Sequence, residues 1–169
     1  MNPYEDIRIG LGTDSHRIEA GGPMILGGIS IDYPAHFVGH SDADVLLHAI
    51  TDAILSAAGL PDIGELFPND REENRGRDSG EMLSLAVESF RRTGWRLSQI
   101  DCVVELEKPK ISPWKDSIQR RISEILQIPS ERVRVKGKTG EGVGEVGTGK
   151  LGKAICIALA CRNLALDDN

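Results

Sequence analysis

Hydrophobic and polar positions alternate over residues 7–12, IRIGLG, and the run leads into Thr13-Asp14-Ser15-His16. A period of two predicts a strand, with the polar tetrad at its end. Two shorter strand-like pieces, 24–26 and 29–33, are split by Gly27-Gly28 in the manner of a hairpin. Over 41–59 the apolar spacing becomes helical, with Val45, Ala49, Ile54 and Ala57 directed to a core. Ser41 followed three residues later by Asp44 reads as an N-cap with a capping box. Residues 60–78 are a loop by composition, long enough to suggest function. An amphipathic helix is expected over 79–93, ending at Gly94, and a β-rich run over 100–106. Pro113 opens a helix to about Gln127, and 133–138 alternates as a strand. Residues 139–153 are glycine-rich, and 154–164 are apolar in a pattern that fits either strand or helix. Strands interleaved with helices predict an α/β or α+β two-layer arrangement, with helices on one sheet face.

A chain of 169 residues is expected to form one domain, 1–169, with a core that needs no disulfide staples. The formal charge of −6 and an aromatic content of 4% argue against a nucleic-acid polymer as partner. No apolar run approaches the length of a membrane span, and no basic segment with an apolar stretch opens the chain. A cytoplasmic protein without membrane contact is the expectation. The three cysteines, Cys102, Cys156 and Cys161, form no C-x-x-C pair, so neither a disulfide framework nor a thiolate zinc site is indicated.

Three groups of residues carry candidate chemistry. Asp14 and His16 are two apart, so a continuing strand puts both side chains on one face. Asp44, His48 and Asp52 form an i, i+4, i+8 stripe on the long helix. Two histidines and one carboxylate with an open fourth position are the ligand set of a catalytic zinc site. Spacing alone leaves open a hydrogen-bonded helix histidine and a carboxylate cap. His40 precedes a helix start, where free N–H groups favour anions; plain capping by Ser41 is the alternative. The loop 137–152 fails the P-loop pattern, and too few residues follow Gly147 for a dinucleotide-binding unit. What remains is a strand entering Lys138-Thr139-Gly140-Glu141, a sequence of donors and a carboxylate suited to a phosphate with a divalent cation, or else a flexible glycine loop.

Together these pieces resemble the 2-C-methyl-D-erythritol 2,4-cyclodiphosphate synthase family. Its G-x-D-x-H stands as Gly12-Thr13-Asp14-Ser15-His16, and its H-S-D-x-D-x-x-x-H-x-x-x-D spans residues 40–52. Its D-I-G-x-x-F-P is Asp62-Ile63-Gly64-Glu65-Leu66-Phe67-Pro68, followed by Asn69-Asp70. Lys108-Pro109-Lys110 matches its x-P-K segment, and residues 138–141 its T-T-x-E region. The match covers about residues 7–164, nearly the whole chain.

The resemblance implies a mixed four-stranded sheet backed by helices, with the last apolar segment as a strand, and a homotrimer whose active sites lie between neighbouring chains. It implies conversion of 4-diphosphocytidyl-2-C-methyl-D-erythritol 2-phosphate, a CDP-linked small molecule, to the 2,4-cyclodiphosphate with release of CMP. This is a lyase step of the non-mevalonate route to isoprenoids. Asp14, His16 and His48 would hold zinc or a similar ion, and Glu141 a second ion, Mg²⁺ or Mn²⁺, bridging the substrate phosphates. His40 and Thr139 would donate to charge developing in the transition state. Asp14, His16, His40 and Ser41 would touch substrate, Asp62, Ile63 and Gly64 would meet the methylerythritol, and Phe67, Pro68, Asn69, Asp70 and Arg71 would line a substrate loop. Leu106, Lys110, Ile111 and Ser112 would clasp the cytosine, largely by backbone. Lys138, Thr139, Gly140, Glu141, Glu145 and Thr148 complete the implied contacts. Departures occur at Lys138, where the family often has threonine, at Thr13 for an aromatic, at Thr148 for the arginine of Gly-Arg-Gly, and at Ile155 for an acid. These argue against the isoprenoid diphosphate that some members hold in a central cavity. Two other readings are a metal-dependent phosphohydrolase and a trimeric binding module with a structural metal.

Overall fold

The computed structural model describes residues 7–68 and 70–162. In chain order these form β1 (Ile7–Ala20), β2 (Met24–Leu26), β3 (Ile29–Ile31), β4 (Ala35–Val38), α1 (Val45–Ala58), α2 (Ile63–Leu66), α3 (Ser79–Arg92), β5 (Arg96–Glu105), α4 (Lys115–Leu126), β6 (Val133–Lys138), α5 (Gly144–Gly147) and β7 (Leu151–Cys161). The strand order is β4-β1-β7-β5-β6, with β5 and β6 parallel and the other neighbours antiparallel. β2 and β3 make a separate hairpin turned by Gly27-Gly28.

The sheet therefore has five strands where four were expected. The additional strand is the edge strand β4, whose four residues are too short to show a period. It exists because β1 does not end at its polar tetrad: the segment Arg17–Ala20 runs on to pair with Val38–Ala35. Asp14 and His16 thus sit mid-strand. The ambiguous last segment is β7, with Gly152, Ala154, Cys156, Ala158 and Ala160 all buried on the helix side. Cys102 and Cys156 face each other across β5 and β7 as thiols, sulfurs 3.1 Å apart. The hydrogen bond that the Cys102 thiol donates to Cys156, together with burial, pushes the Cys102 thiol well up.

Helices cover one face only. α1 lies along β1 and β7, and α4 along β6. The approach of α1 to β1 is set by glycine. A Cβ on Gly10 would run into the Ala53 carbonyl oxygen and lie 2.6 Å from the Ala57 nitrogen. A Cβ on Gly12 would do the same to Ala49 and Ala53. Ala49, Ala53 and Ala57 recur every four residues, so α1 lays a stripe of methyl groups on two positions without side chains. On the uncovered face, Ile7, Ile9, Leu11 and Ile157 are exposed, Ile9 to 68%.

The cap of α1 differs from expectation. The helix starts at Val45, and Asp44 is its N-cap, accepting from the Leu46 and Leu47 amides. Ser41 lies too far upstream, because Ala43 takes a left-handed conformation and turns the chain between them. Asp44 is fully buried and also accepts from the amides of Gly27 and Gly28, tying the β2–β3 turn to the start of α1. Burial pushes its carboxyl above the ordinary value, and the Gly28, Leu47 and Gly27 amides oppose that push. The 60–78 loop holds α2 and a short 3-10 turn at Glu72–Asn74.

Two outcomes follow. Gly12→Ala should lower stability by about 1–3 kcal/mol in urea unfolding, because the helix must lift to admit one methyl. Asp44→Asn should cost about 2–4 kcal/mol, since one carbonyl oxygen cannot serve four amides and the new NH₂ meets donors.

Candidate metal centre

The helix face of β1 carries Gly10 and Gly12 and then, at the same period, Asp14 and His16. Because α1 sits directly on the two glycines, His48 in its first turn comes down onto the two polar residues. His48 Nδ1 is 3.0 Å from Asp14 Oδ2, His16 Nε2 is 3.0 Å from the same oxygen, and the two nitrogens are 3.2 Å apart. The three atoms form a nearly equilateral triangle. A tetrahedral ion with ligands at about 2.0 Å sets them about 3.3 Å apart, so the donor set fits such an ion. These three are also the one cluster of its kind among the described residues.

The electrostatics support the same use. Burial alone would raise the Asp14 carboxyl, but hydrogen bonds from His16 and His48 and their charge hold it well below the carboxylate range. Burial alone would lower His48; the hydrogen bond and charge of Asp14, with the charges of Asp44 and Asp42, overcome it and raise the imidazole. The ionised Asp14 thus favours positive charge on the His48 imidazole.

The triad opens on a cavity of about 180 Å³ lined also by His40, Ser41, Ile63, Gly64, Phe67, Asn74 and Met82. Of the expected residues, His40, Ser41, Ile63, Gly64 and Phe67 are therefore brought to it. Asp62 caps α2 through Oδ1 to the Glu65 amide and borders an adjoining cleft with Asp52. Asp52, one turn after His48 on α1, accepts from the Ile63 amide and so holds the start of α2. Burial raises its carboxyl, against the Ile63 amide. Pro68 accepts from Asn74 Nδ2, while Asp70 and Arg71 are exposed beyond it. Asn69 lies outside the described residues.

The remaining expected residues lie elsewhere. Asp14 is level with Ala154, Val104 and Gly137 across the sheet, so the end of β6 is three strand spacings away, about 14 Å. There Thr139 Oγ1 donates to Glu141 Oε1 at 2.7 Å, and Glu141 holds a left-handed conformation rare for a side-chain-bearing residue. Lys138, Glu145, Lys110 and Ser112 are exposed, whereas Leu106 and Ile111 are buried, the Leu106 amide donating to the Lys138 carbonyl and the Ile111 carbonyl accepting from the Trp114 amide. Thr148 borders a cleft with Glu107 and Lys108. A cavity of about 580 Å³ among Phe90, Trp95 and Leu126 touches none of these residues.

Sequence reasoning passed over Asn74, Met82, Ser79 and Glu107. Glu107 Oε2 accepts from the Gly140 amide at 3.0 Å, joining the 106–112 segment to the 139–141 turn. No local pattern marks it, because the partner is 33 residues away.

A model of the YgbB family matches residues 7–161. A protein of Rhodopirellula baltica named 2-C-methyl-D-erythritol 2,4-cyclodiphosphate synthase is 45% identical over 155 residues, covering 92% of this chain and 93% of its own. The structure of IspF from Plasmodium falciparum, a CDP complex, aligns with a TM-score of 0.83 at 34% identity, over 95% of this chain and 99% of that one. The bifunctional IspDF from Campylobacter jejuni aligns with a TM-score of 0.90 at 34% identity, over 94% of this chain but 43% of that one.

The charge pattern of the triad fixes a pH response. Without metal, the Asp14 contribution to stability is present above pH 3.8 and is lost as pH falls through its depressed value. The His48 contribution is present below pH 6.5 and is lost as pH rises through its raised value. Zinc needs Nδ1 without a proton, so its affinity should rise over the interval in which the His48 contribution fades. Urea unfolding of metal-free protein and chelator competition for zinc, from about pH 5 to 9, read the two trends. A zinc affinity that is flat with pH would remove His48 from the ligand set.

Proposed function

The chain belongs to the YgbB family, and from that premise we propose how its residues divide the work of a 2-C-methyl-D-erythritol 2,4-cyclodiphosphate synthase. The reaction converts 4-diphosphocytidyl-2-C-methyl-D-erythritol 2-phosphate to the cyclic diphosphate and CMP. The 2-phosphate oxygen bonds to the β-phosphorus as the bond between that phosphorus and the CMP oxygen breaks. The observation that carries the reading is the Asp14–His16–His48 triangle at the head of the His40–Gly64 cavity.

A divalent ion such as zinc at the triangle, with a magnesium or manganese ion at Glu141, supplies Lewis acidity and neutralises phosphate charge. The protein supplies alignment, which is most of what phosphoryl transfer needs. His40, exposed at the cavity rim, donates to a phosphate oxygen. Thr139 donates to the opposite side once Glu141 turns its oxygen away. The ionised 2-phosphate is its own nucleophile, so no side chain need act as base. Asp62 keeps one oxygen for the α2 cap, which leaves the other to accept from a substrate hydroxyl. The 106–112 segment presents backbone to cytosine.

Two features support active sites shared between chains of a homotrimer. The triad and the Thr139–Glu141 turn are three strands apart in one chain, and the sheet face without helices is apolar at Ile9, Leu11 and Ile157. No described helix is long and apolar enough to cross a membrane.

Incubation with the substrate and Mg²⁺ or Mn²⁺, followed by ³¹P NMR, should give the cyclic diphosphate; an open-chain bisphosphate would favour a phosphohydrolase. His48→Ala should fold and assemble yet retain below about 1% of CMP release, against a structural metal. Light scattering should report three chains of 18.4 kDa, and Ile9→Glu should reduce that to one while zinc binding persists.

A further inference from the structure

The far side of the His48 ring is as closely engaged as the side facing Asp14. His48 Nε2 lies 2.9 Å from Ser79 Oγ and 3.1 Å from Ser41 Oγ. Ser79 is the first residue of α3 and is fully buried. Its hydroxyl also bonds Asp42 Oδ1 at short range, and its backbone amide donates to Asp42 Oδ2 at 3.1 Å. Asp42 is held in turn by the Asp44 amide, and its own amide donates to the Arg77 carbonyl.

Proton counting gives these contacts a direction. An ionised carboxylate only accepts, and a serine hydroxyl has one proton. Asp42 takes that proton, so Ser79 Oγ can only accept from His48. His48 must then carry a hydrogen on Nε2. A metal-bound imidazole has a lone pair on its ligating nitrogen, here Nδ1, and the hydrogen on the other. The Asp42–Ser79 arrangement selects that tautomer and also fixes the ring plane.

We propose that Ser79 and Asp42 are positioning residues that hold metal-bound His48 as the Nε2–H tautomer, leaving Nδ1, which in the metal-free protein donates to Asp14, free to give its lone pair to the ion between Asp14 and His16. This rests on the metal reading of the triad. The relay also makes α3 part of the centre, since Ser79 reaches His48 from 31 residues away. Loss of Asp42 would free the Ser79 proton to donate to Nε2, which favours the tautomer with hydrogen on Nδ1, where the ion must bind. Ser41 lacks a carboxylate partner of this kind among the described residues and can serve either tautomer.

The test measures zinc affinity by chelator competition for wild type, Ser79→Ala, Asp42→Asn, Ser79→Thr and Asp14→Ala. It adds ¹⁵N NMR of His48 in the zinc-loaded proteins and thermal unfolding of the metal-free ones. Partners that orient a metal-bound histidine are typically worth about 10–100-fold in metal affinity. Ser79→Ala and Asp42→Asn should each lose that much, and Ser79→Thr should recover most of it by restoring the hydroxyl. In wild type, the Nε2 proton of His48 should be hydrogen-bonded and slow to exchange; in the first two variants it should exchange rapidly. If wild type binds zinc tightly and both variants match it within about twofold, with the same His48 spectrum, the relay is overturned. If Ser79→Ala weakens binding but Ser79→Thr fails to restore it while melting normally, the hydroxyl has no such role. If wild type binds no tighter than Asp14→Ala, the metal reading itself fails and the relay falls with it.

Discussion

The contact on which the rest depends is the backbone-to-backbone approach of α1 to β1 at Gly10 and Gly12. Every other spacing around the triad is inherited from it. Strand period places Asp14 and His16 on the same face as the glycines, and helix period places His48 one residue before the alanine stripe. A helix held off by one ordinary side chain would carry His48 away from Asp14 and His16. The small residues of β7, Gly152 through Ala160, extend the same shallow bed beneath α1. Interior close packing then makes the distance stiff, as a donor triangle with edges of 3.0–3.2 Å requires.

Carboxylates crowd this region, and the structure gives each a separate task. Asp14 alone belongs to the triangle. Asp44 joins the hairpin turn to the start of α1, Asp52 fixes the start of α2, and Asp42 sits where the start of α3 meets His48. Three helix N-termini are thereby aimed at one region, each held by an aspartate that also complements its dipole. The lesson concerns cost as well as placement. Buried carboxylates are expensive unless amides or cations satisfy them, and here backbone N–H groups do so without neutralising the charge needed near a cation.

This division explains what could be read from the chain. The strand alternation and the helical spacing exposed Asp14, His16 and His48, because one face of one element carries a signal of fixed period. The same logic located α3, α4 and β6 closely. It missed the continuation of β1, since the polar tetrad interrupts the hydrophobic half of the pattern while the pairing with β4 and β7 maintains the strand. It assigned the cap to Ser41 because a capping box is a spacing rule, whereas the left-handed turn at Ala43 is a property of the folded loop. Ser79 and Glu107 were invisible for a related reason: each acts across more than 30 residues on a single partner atom. The motifs at Asp62 and at 138–141 were legible as strings, but their distance from the triad within one chain was not.

The acidity of the chain acquires a physical meaning from this arrangement. A net charge of −6 would repel a polyanion at every approach. A small diphosphate meets a different field, because the carboxylates nearest the cavity are occupied: Asp14 by two histidines, Asp42 by Ser79, Asp44 and Asp52 by amides. Besides Asp14 and the apolar Ile63, Phe67 and Met82, what faces the cavity is then imidazole, hydroxyl and amide. The Thr139–Glu141 turn repeats the device at the other end of the sheet, with the hydroxyl bonded to the carboxylate and Glu107 bonded to the Gly140 amide. Net charge disfavours a polyanion, and local pairing leaves room for a small anion together with its cations.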